Sequence, residues 1–184
     1  MPVADAKTLE RVAQGLKRSG SILAQAATVY GAKPEQPEAT PGTGFDPVAA
    51  ALFEALIEGA YLVASADGVV DDEERAAFEQ VVASASATGA RVQTTGGQVH
   101  ALLEDLHESL REDGLERRVE IVTRSVTRPE HRTEVLRVAA LVAQISGGVS
   151  APERAIMEKL AVGLELTNGD VDQAIAGATL ALAD

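Results

Sequence analysis

Carboxylate side chains are concentrated in one short stretch, residues 67–74, with the sequence DGVVDDEE. Divalent cations such as calcium, magnesium and manganese are held by several oxygen ligands that converge on the ion. We predict that Asp67 ends one helix, that Gly68 permits a turn, and that the next helix starts within the acidic run. Asp71 and Glu74 would then face Asp67 across the loop. The spacing therefore predicts a cation site with Asp67, Asp71 and Glu74 as ligands.

The same residues have a purely structural interpretation. Asp71 and Glu74 fit a D-x-x-E capping box, in which two side chains satisfy backbone N–H groups at the start of a helix. Acidic side chains in a first turn also complement the helix dipole. Asp67 beside Gly68 is a common turn pair. The sequence alone leaves both interpretations open.

A second copy of this pattern lies further along the chain. Residues 60–74, AYLVASADGVVDDEE, align without gaps on residues 139–153, AALVAQISGGVSAPE. Both segments predict a helix, a glycine loop and a capping box that starts another helix. We therefore expect two equivalent helix-loop-helix units related by pseudo-two-fold symmetry, the second contributing Glu153 as a metal ligand. Ser146 stands where the first unit has Asp67, so one half of the acidic site is depleted.

The pattern A-x-x-V-A-x-A-D-G-x-V-x-x-x-E at residues 60–74, echoed at residues 139–153, resembles the TerB family of tellurite-resistance proteins. The resemblance extends over residues 46–184. It implies an all-helical domain with an internal repeat of this loop, and acidic loop residues that bind a divalent metal. It also implies a role in resistance to tellurite and other stresses.

Hydrophobic periodicity predicts helices throughout residues 46–184 and gives no strand pattern. Alanine, valine and leucine dominate, and aromatic residues make up only 3% of the chain. Small side chains of this kind favour helices that pack closely. The fold class is therefore all-α, a TerB-like bundle of about seven helices with an internal repeat. The predicted helices cover residues 47–66, 71–87, 95–112, 115–125, 129–145, 150–164 and 170–182.

An N-terminal amphipathic helix is predicted to precede this domain. Within residues 5–30, a large apolar residue recurs every seven positions, at Leu9, Leu16, Leu23 and Tyr30. Residues 31–45 contain three prolines and three glycines and form a linker by composition, so the segments are 1–30, 31–45 and 46–184. Because a short helix needs packing to persist, we expect Leu9, Leu16 and Leu23 to bind protein, in cis or in a dimer.

Charge divides the chain in the same way. Residues 1–33 carry five basic and two acidic side chains, a net charge of +3. Because the formal net charge of the whole chain is −12, the remaining residues carry a net charge of −15. An acidic body repels phosphates, so no nucleic-acid partner is expected. A membrane surface is disfavoured because the apolar stripe lacks Trp and Phe. The first residues lack the apolar core of a secretory leader, so we expect a cytoplasmic protein.

Other candidate chemistry is sparse. His100, Glu104 and His107 share one helix face and could hold a cation, although a solvated face has the same spacing. The chain has no cysteine, which excludes disulfides and thiolate metal sites. It has no phosphate-binding loop, dinucleotide fingerprint or nucleophile elbow. We therefore expect no enzyme activity.

Two functions remain. The first is a non-enzymatic TerB-like module in the tellurite or stress response, which binds calcium, manganese or magnesium and engages protein partners or self-associates through its N-terminal helix. The second is a metal-free helical adaptor or scaffold protein. The residues at 67–74 favour the first, and Ser146 together with the amphipathic N-terminal helix favours the second.

Overall fold

The structure, a computed structural model, describes residues 22–31, 46–68, 96–145 and 147–183, and single positions at 7, 10, 11, 14, 70, 75, 76, 78, 79 and 82. The helices with described bounds are α1 Leu23–Gly31, α2 Pro47–Ala64, α3 Gly96–Asp113, α4 Leu115–Ser125, α5 Pro129–Ile145, α6 Ala151–Gly163 and α7 Asn168–Leu182. Residues 75, 76, 78, 79 and 82 are also helical. No strand occurs within these ranges, so the all-helical prediction is confirmed.

Helix α2 forms the centre of the bundle. The Asp46 carboxylate caps its start by accepting hydrogen bonds from the backbone N–H groups of Val48 and Ala49, at 2.9 and 3.3 Å. Pro47 follows at the first helical position, where its missing N–H costs nothing. Helices α1, α3, α4, α5 and α6 all pack against α2.

Among the described helices, α2 alone is long and apolar enough to cross a membrane. Most of its residues are nevertheless buried inside the protein. This burial explains its apolar composition, because a helix packed among other helices has little surface to present to water.

The two predicted repeat units contain the pair of helices that pack most extensively, α2 and α5. Their backbones approach closely at Gly59, where an added Cβ would lie 2.6 Å from the Val135 side chain. Both helices end in a glycine turn at matching positions of the repeat. Gly68 has a φ of 153° and Gly147 a φ of 117°, which non-glycine residues rarely adopt. The two units thus share a glycine with positive φ at the equivalent position, and the predicted equivalence of the two helix-loop-helix units stays a prediction.

A buried ion pair joins α2 to α4, and the same arginine also contacts the last residue of α3. Arg118 of α4 donates from Nε to Glu58 Oε1 of α2 at 2.6 Å, and from Nη1 to Asp113 Oδ2 at 3.0 Å. Glu58 is buried, with 6% of its surface exposed. Burial raises the pKa of Glu58, and the bond and charge of Arg118 oppose that rise.

Helix α1 packs on α2 and belongs to the same hydrophobic core. Its buried side chains are Leu23, Ala26, Ala27 and Tyr30. Ile22 is a bend, so the single helix predicted over residues 5–30 is interrupted there, just after the serine and glycine run at 19–21.

Candidate functional site

The first predicted loop presents Asp67 at the surface. Helix α2 ends at Ala64, and Ser65 closes it by donating from its backbone N–H and from Oγ to the Tyr61 carbonyl, at 2.9 and 2.8 Å. The Gly68 N–H then bonds to the Ser65 carbonyl at 3.3 Å, which turns the chain. Asp67 lies between these residues with its side chain exposed. An exposed carboxylate on a tight turn is accessible to a cation from solvent.

The second loop uses its acidic residue differently. Glu153 is buried, and its Oε2 accepts a hydrogen bond from the Ser150 N–H at 2.7 Å. In return the Glu153 N–H donates to Ser150 Oγ at 3.3 Å. This is the capping box predicted for the second unit, and it starts α6. Glu153 therefore stabilises a helix start, and its predicted role as a metal ligand stays a prediction.

The other two predicted ligands, Asp71 and Glu74, lie outside the described residues. Among the residues that are described, no group of three or more His, Asp and Glu side chains could hold a metal ion. Of the four predicted ligands, the described part of the chain thus contains two. The carboxylate of Asp67 is exposed, and that of Glu153 is hydrogen-bonded in the capping box. These two carboxylates do not by themselves complete a cation site.

The histidine-containing face of α3 makes contacts with two other segments instead of converging on one point. His100 Nδ1 lies 2.7 Å from Glu79 Oε1, and Glu104 forms an ion pair with Arg75. His107 Nδ1 shares a hydrogen bond of 3.1 Å with the Tyr61 hydroxyl. The three side chains have three different partners, so the alternative cation site at this face is not formed.

These contacts join α3 to described residues on both sides of the acidic stretch in the sequence. Tyr61 lies in the last turn of α2, before the loop, and Arg75 and Glu79 lie in the helical residues after it. Burial raises the pKa of the Tyr61 hydroxyl above its usual value of 10.0. The i, i+4, i+7 spacing predicts that all three α3 side chains lie on one face, but it does not predict their partners.

Comparison with known proteins agrees with this architecture. The family model described as tellurite resistance protein TerB matches residues 53–176, most of the chain. The chain belongs to the TerB family. No curated protein and no solved structure matches it. The matched segment begins within α2 and ends within α7, so it contains both glycine loops and excludes α1.

In this TerB-family chain, Leu23 is the one predicted partner-binding residue that the structure describes. Leu23 is fully buried in the core beneath α1. The Arg11 guanidinium donates from Nη1 to the Leu182 carbonyl at the end of α7, at 3.1 Å. Both contacts lie within the chain, and the predicted binding of Leu9, Leu16 and Leu23 to protein stays a prediction. Leu9 and Leu16 lie outside the described residues.

A shallow groove of about 600 Å³ lies between α4 and α6. Charged residues that line it form ion pairs with neighbouring side chains. Glu116 pairs with Lys159, and Glu158 accepts from Arg154 Nε at 3.0 Å. Catalytic groups normally converge on one reacting point, and the charges of this groove do not.

Proposed function

We propose that this TerB-family chain is a non-enzymatic binding module of a stress response, of which tellurite resistance is the family's named example. Its first loop binds a divalent cation in this proposal. The observation that carries it is the exposed Asp67 carboxylate on the Gly68 turn, inside the segment that matches the family. Calcium, manganese and magnesium are the candidate ions, because all three prefer oxygen ligands.

The proposed ligands are Asp67, Asp71 and Glu74, with Glu153 as a contribution from the second loop. The capping bond to Ser150 occupies Glu153 Oε2 alone. A carboxylate has about four lone-pair sites, so this bond leaves room for a cation contact. The depleted position Ser146 makes the first loop the main source of ligands. Affinity should therefore depend most on Asp67.

Calorimetric titration of the metal-stripped full chain with calcium, manganese and magnesium tests this function. We expect a saturable heat with at least one ion, and loss of that heat in Asp67→Asn. The matched control is Asp105→Asn, which removes the same charge from an exposed position on α3. Circular dichroism should show both variants to be folded. Equal binding by Asp67→Asn and the wild-type chain would refute the assignment.

A metal-free adaptor is the second candidate, and the capping box at Glu153 favours it. A carboxylate that is buried and bonded to the backbone at 2.7 Å has a structural role without any ion. The two candidates differ in one measurement. The absence of heat with all three cations would leave the adaptor role as the better explanation of the acidic loops.

A further inference from the structure

Helix α3 contacts the chain on both sides of the proposed cation loop, residues 67–74. Before the loop, in the last turn of α2, the Tyr61 hydroxyl shares a hydrogen bond of 3.1 Å with His107 Nδ1. After the loop, Arg75 forms an ion pair with Glu104. One face of α3 therefore holds both flanks of the loop.

The order of the contacts along α3 shows how close together these flanks are held. Beyond Arg75, Glu79 Oε1 lies 2.7 Å from His100 Nδ1. The two residues after the loop are four positions apart, and so are their partners on α3, in the reverse order. On the other side of Glu104, His107 lies about 4.5 Å further along the helix axis. The contacts of the two flanks are therefore neighbours on α3.

Fixed flanks favour the binding of a cation between them. The oxygen ligands of a divalent cation must converge on the ion. A segment that has to be ordered for this purpose loses conformational entropy on binding, and the loss lowers its affinity. With its flanks already held by α3, the segment that contains Asp67 has less freedom to lose.

Glu104 also compensates a positive charge beside the loop. Arg75 follows Glu74 directly in the chain and is the basic residue nearest in sequence to the proposed ligands. Its guanidinium repels a bound cation, and it can pair with the ligand carboxylates in place of the cation. The Arg75 Nη1 donates to Glu104 Oε1. The carboxylate of Glu104 thus reduces the repulsion that a cation at the loop would meet.

An ion pair also follows the second loop. Arg154 occupies the position that matches Arg75 in the repeat, and its Nη2 donates to Asp172 Oδ1 of α7 at 2.6 Å. This loop has Ser146 where the first loop has a carboxylate. Its ion pair is therefore a comparison within the same chain, because it flanks a loop that lacks the main proposed ligand.

We propose that the face of α3 formed by His100, Glu104 and His107 positions the cation loop, and that these contacts raise the affinity of the loop for a divalent cation. The inference rests on the proposed cation-binding function and names the element that regulates it. Coupling between two sites is reciprocal. A cation at the loop must therefore strengthen the contacts of α3 in return.

Calorimetric titration of the full chain with calcium, manganese and magnesium measures the effect of α3 on the loop. Glu104→Gln should weaken cation binding about fivefold or more, the scale of one ion pair or of a weak allosteric coupling. In an Arg75→Gln chain the same substitution should have much less effect, because the pair is already broken. Circular dichroism should show all variants to be folded.

Two control variants remove one negative charge each without touching the flanks of the first loop. Asp105→Asn changes the exposed neighbour of Glu104 on α3. Asp172→Asn breaks the ion pair that follows the second loop. Both chains should bind the cation as tightly as the wild type. An equal loss of affinity in Asp105→Asn and Glu104→Gln would overturn the inference, since net charge alone would then explain it.

Histidine NMR signals measure the reciprocal effect of the cation on α3. The chain has three histidines. Saturating calcium or magnesium should shift the ring signals of His100 and His107. The signal of His131, in the first turn of α5, is the control and should stay in place. The shift at His100 should be smaller in Glu104→Gln. Signals of His100 and His107 that do not respond to a bound cation would contradict the coupling.

The wild-type titration separates the two ways in which this reasoning can fail. If the wild-type chain binds a cation and Glu104→Gln binds it equally well, the role of α3 is refuted and the cation function stands. If the wild-type chain gives no heat with any of the three ions, the cation function is refuted, and the role of α3 fails with it.

Discussion

Replacing Arg118 with leucine would leave the Glu58 carboxylate buried without its cation. Glu58 exposes 6% of its surface, and the Arg118 side chain 14%. The pair is joined by a bond of 2.6 Å, and Arg118 also bonds to Asp113 at 3.0 Å. Asp113 is partly exposed, so water can replace its lost partner. The loss of unfolding free energy therefore comes mainly from Glu58, whose buried carboxylate is left without its cation.

The size of this cost follows from desolvation. Removing one partner of a buried ion pair typically costs about 3–5 kcal/mol, because the other charge is left unpaired. Arg118 keeps some contact with solvent, so we expect the lower end, about 3 kcal/mol. Replacing both residues by leucine removes the buried charge altogether. The double variant should regain most of the lost free energy of unfolding, since apolar replacements of buried pairs are often neutral.

Guanidinium chloride unfolding at pH 7, followed by circular dichroism, measures the stability of Arg118→Leu and of the double variant. Arg117→Leu is the matched control, because its pair with Glu120 on the same helix is exposed. It should change the free energy of unfolding far less than Arg118→Leu. The reasoning fails if Arg118→Leu is as stable as the control, or if the double variant is less stable than Arg118→Leu.

The loss of unfolding free energy in Arg118→Leu should depend on pH, whereas a simple loss of packing should not. The pKa of Glu58 is raised above 4.5 in the folded chain, so the folded state binds its proton more readily than the unfolded state. The contribution of Glu58 to stability is then fully present below the unfolded pKa and is lost as pH rises through the folded pKa. Without Arg118, that pKa rises further. The deficit of Arg118→Leu should be smaller at pH 5 than at pH 8.

Two further predictions concern helix ends and helix crossings, and both can be measured by the same unfolding assay. Ser150→Ala removes the cap of α6 and should lower the free energy of unfolding by about 1 kcal/mol. Gly59→Ala would place a Cβ 2.6 Å from the Val135 side chain and should cost about 1–3 kcal/mol through overpacking. Its control, Gly177→Ala, meets no atom within 4 Å and should stabilise α7 by up to about 1 kcal/mol. Equal effects of the two alanines would contradict the close approach of α2 and α5.

The helices could be predicted because their determinants are local. Periodic apolar residues and a capping box are read from neighbouring positions, and Ser150 with Glu153 forms the box that the sequence indicated. The predicted start of α7 was less accurate. Thr167 accepts from the Asp170 N–H and so begins the helix before Asp170, where the sequence had suggested a start. Two adjacent cap-forming residues made that choice ambiguous.

Long-range polar partners could not be predicted in this way. Glu58 has the spacing of an ordinary helical acid, and nothing nearby indicates that Arg118 will meet it 60 positions later. The face formed by His100 and His107 had the periodicity of a solvated surface or of a cation site. Its actual partners, Glu79 and Tyr61, lie on other elements. Such pairs depend on how helices are placed in three dimensions, which hydrophobic periodicity does not determine.

The proposed cation loop and the contact with α1 lie at opposite ends of α2. Phe53, which packs on Tyr30 of α1, lies roughly 16 Å along the helix axis from the last residue of α2, Ala64, at 1.5 Å per residue. Asp67 follows that end. Between the two ends, α2 is fixed by the Glu58 ion pair and by the close contact of Gly59 with Val135. A rigid, buried helix transmits little motion unless it has two alternative packings. We therefore expect a cation bound at the proposed loop to leave the packing of α1 on α2 unchanged.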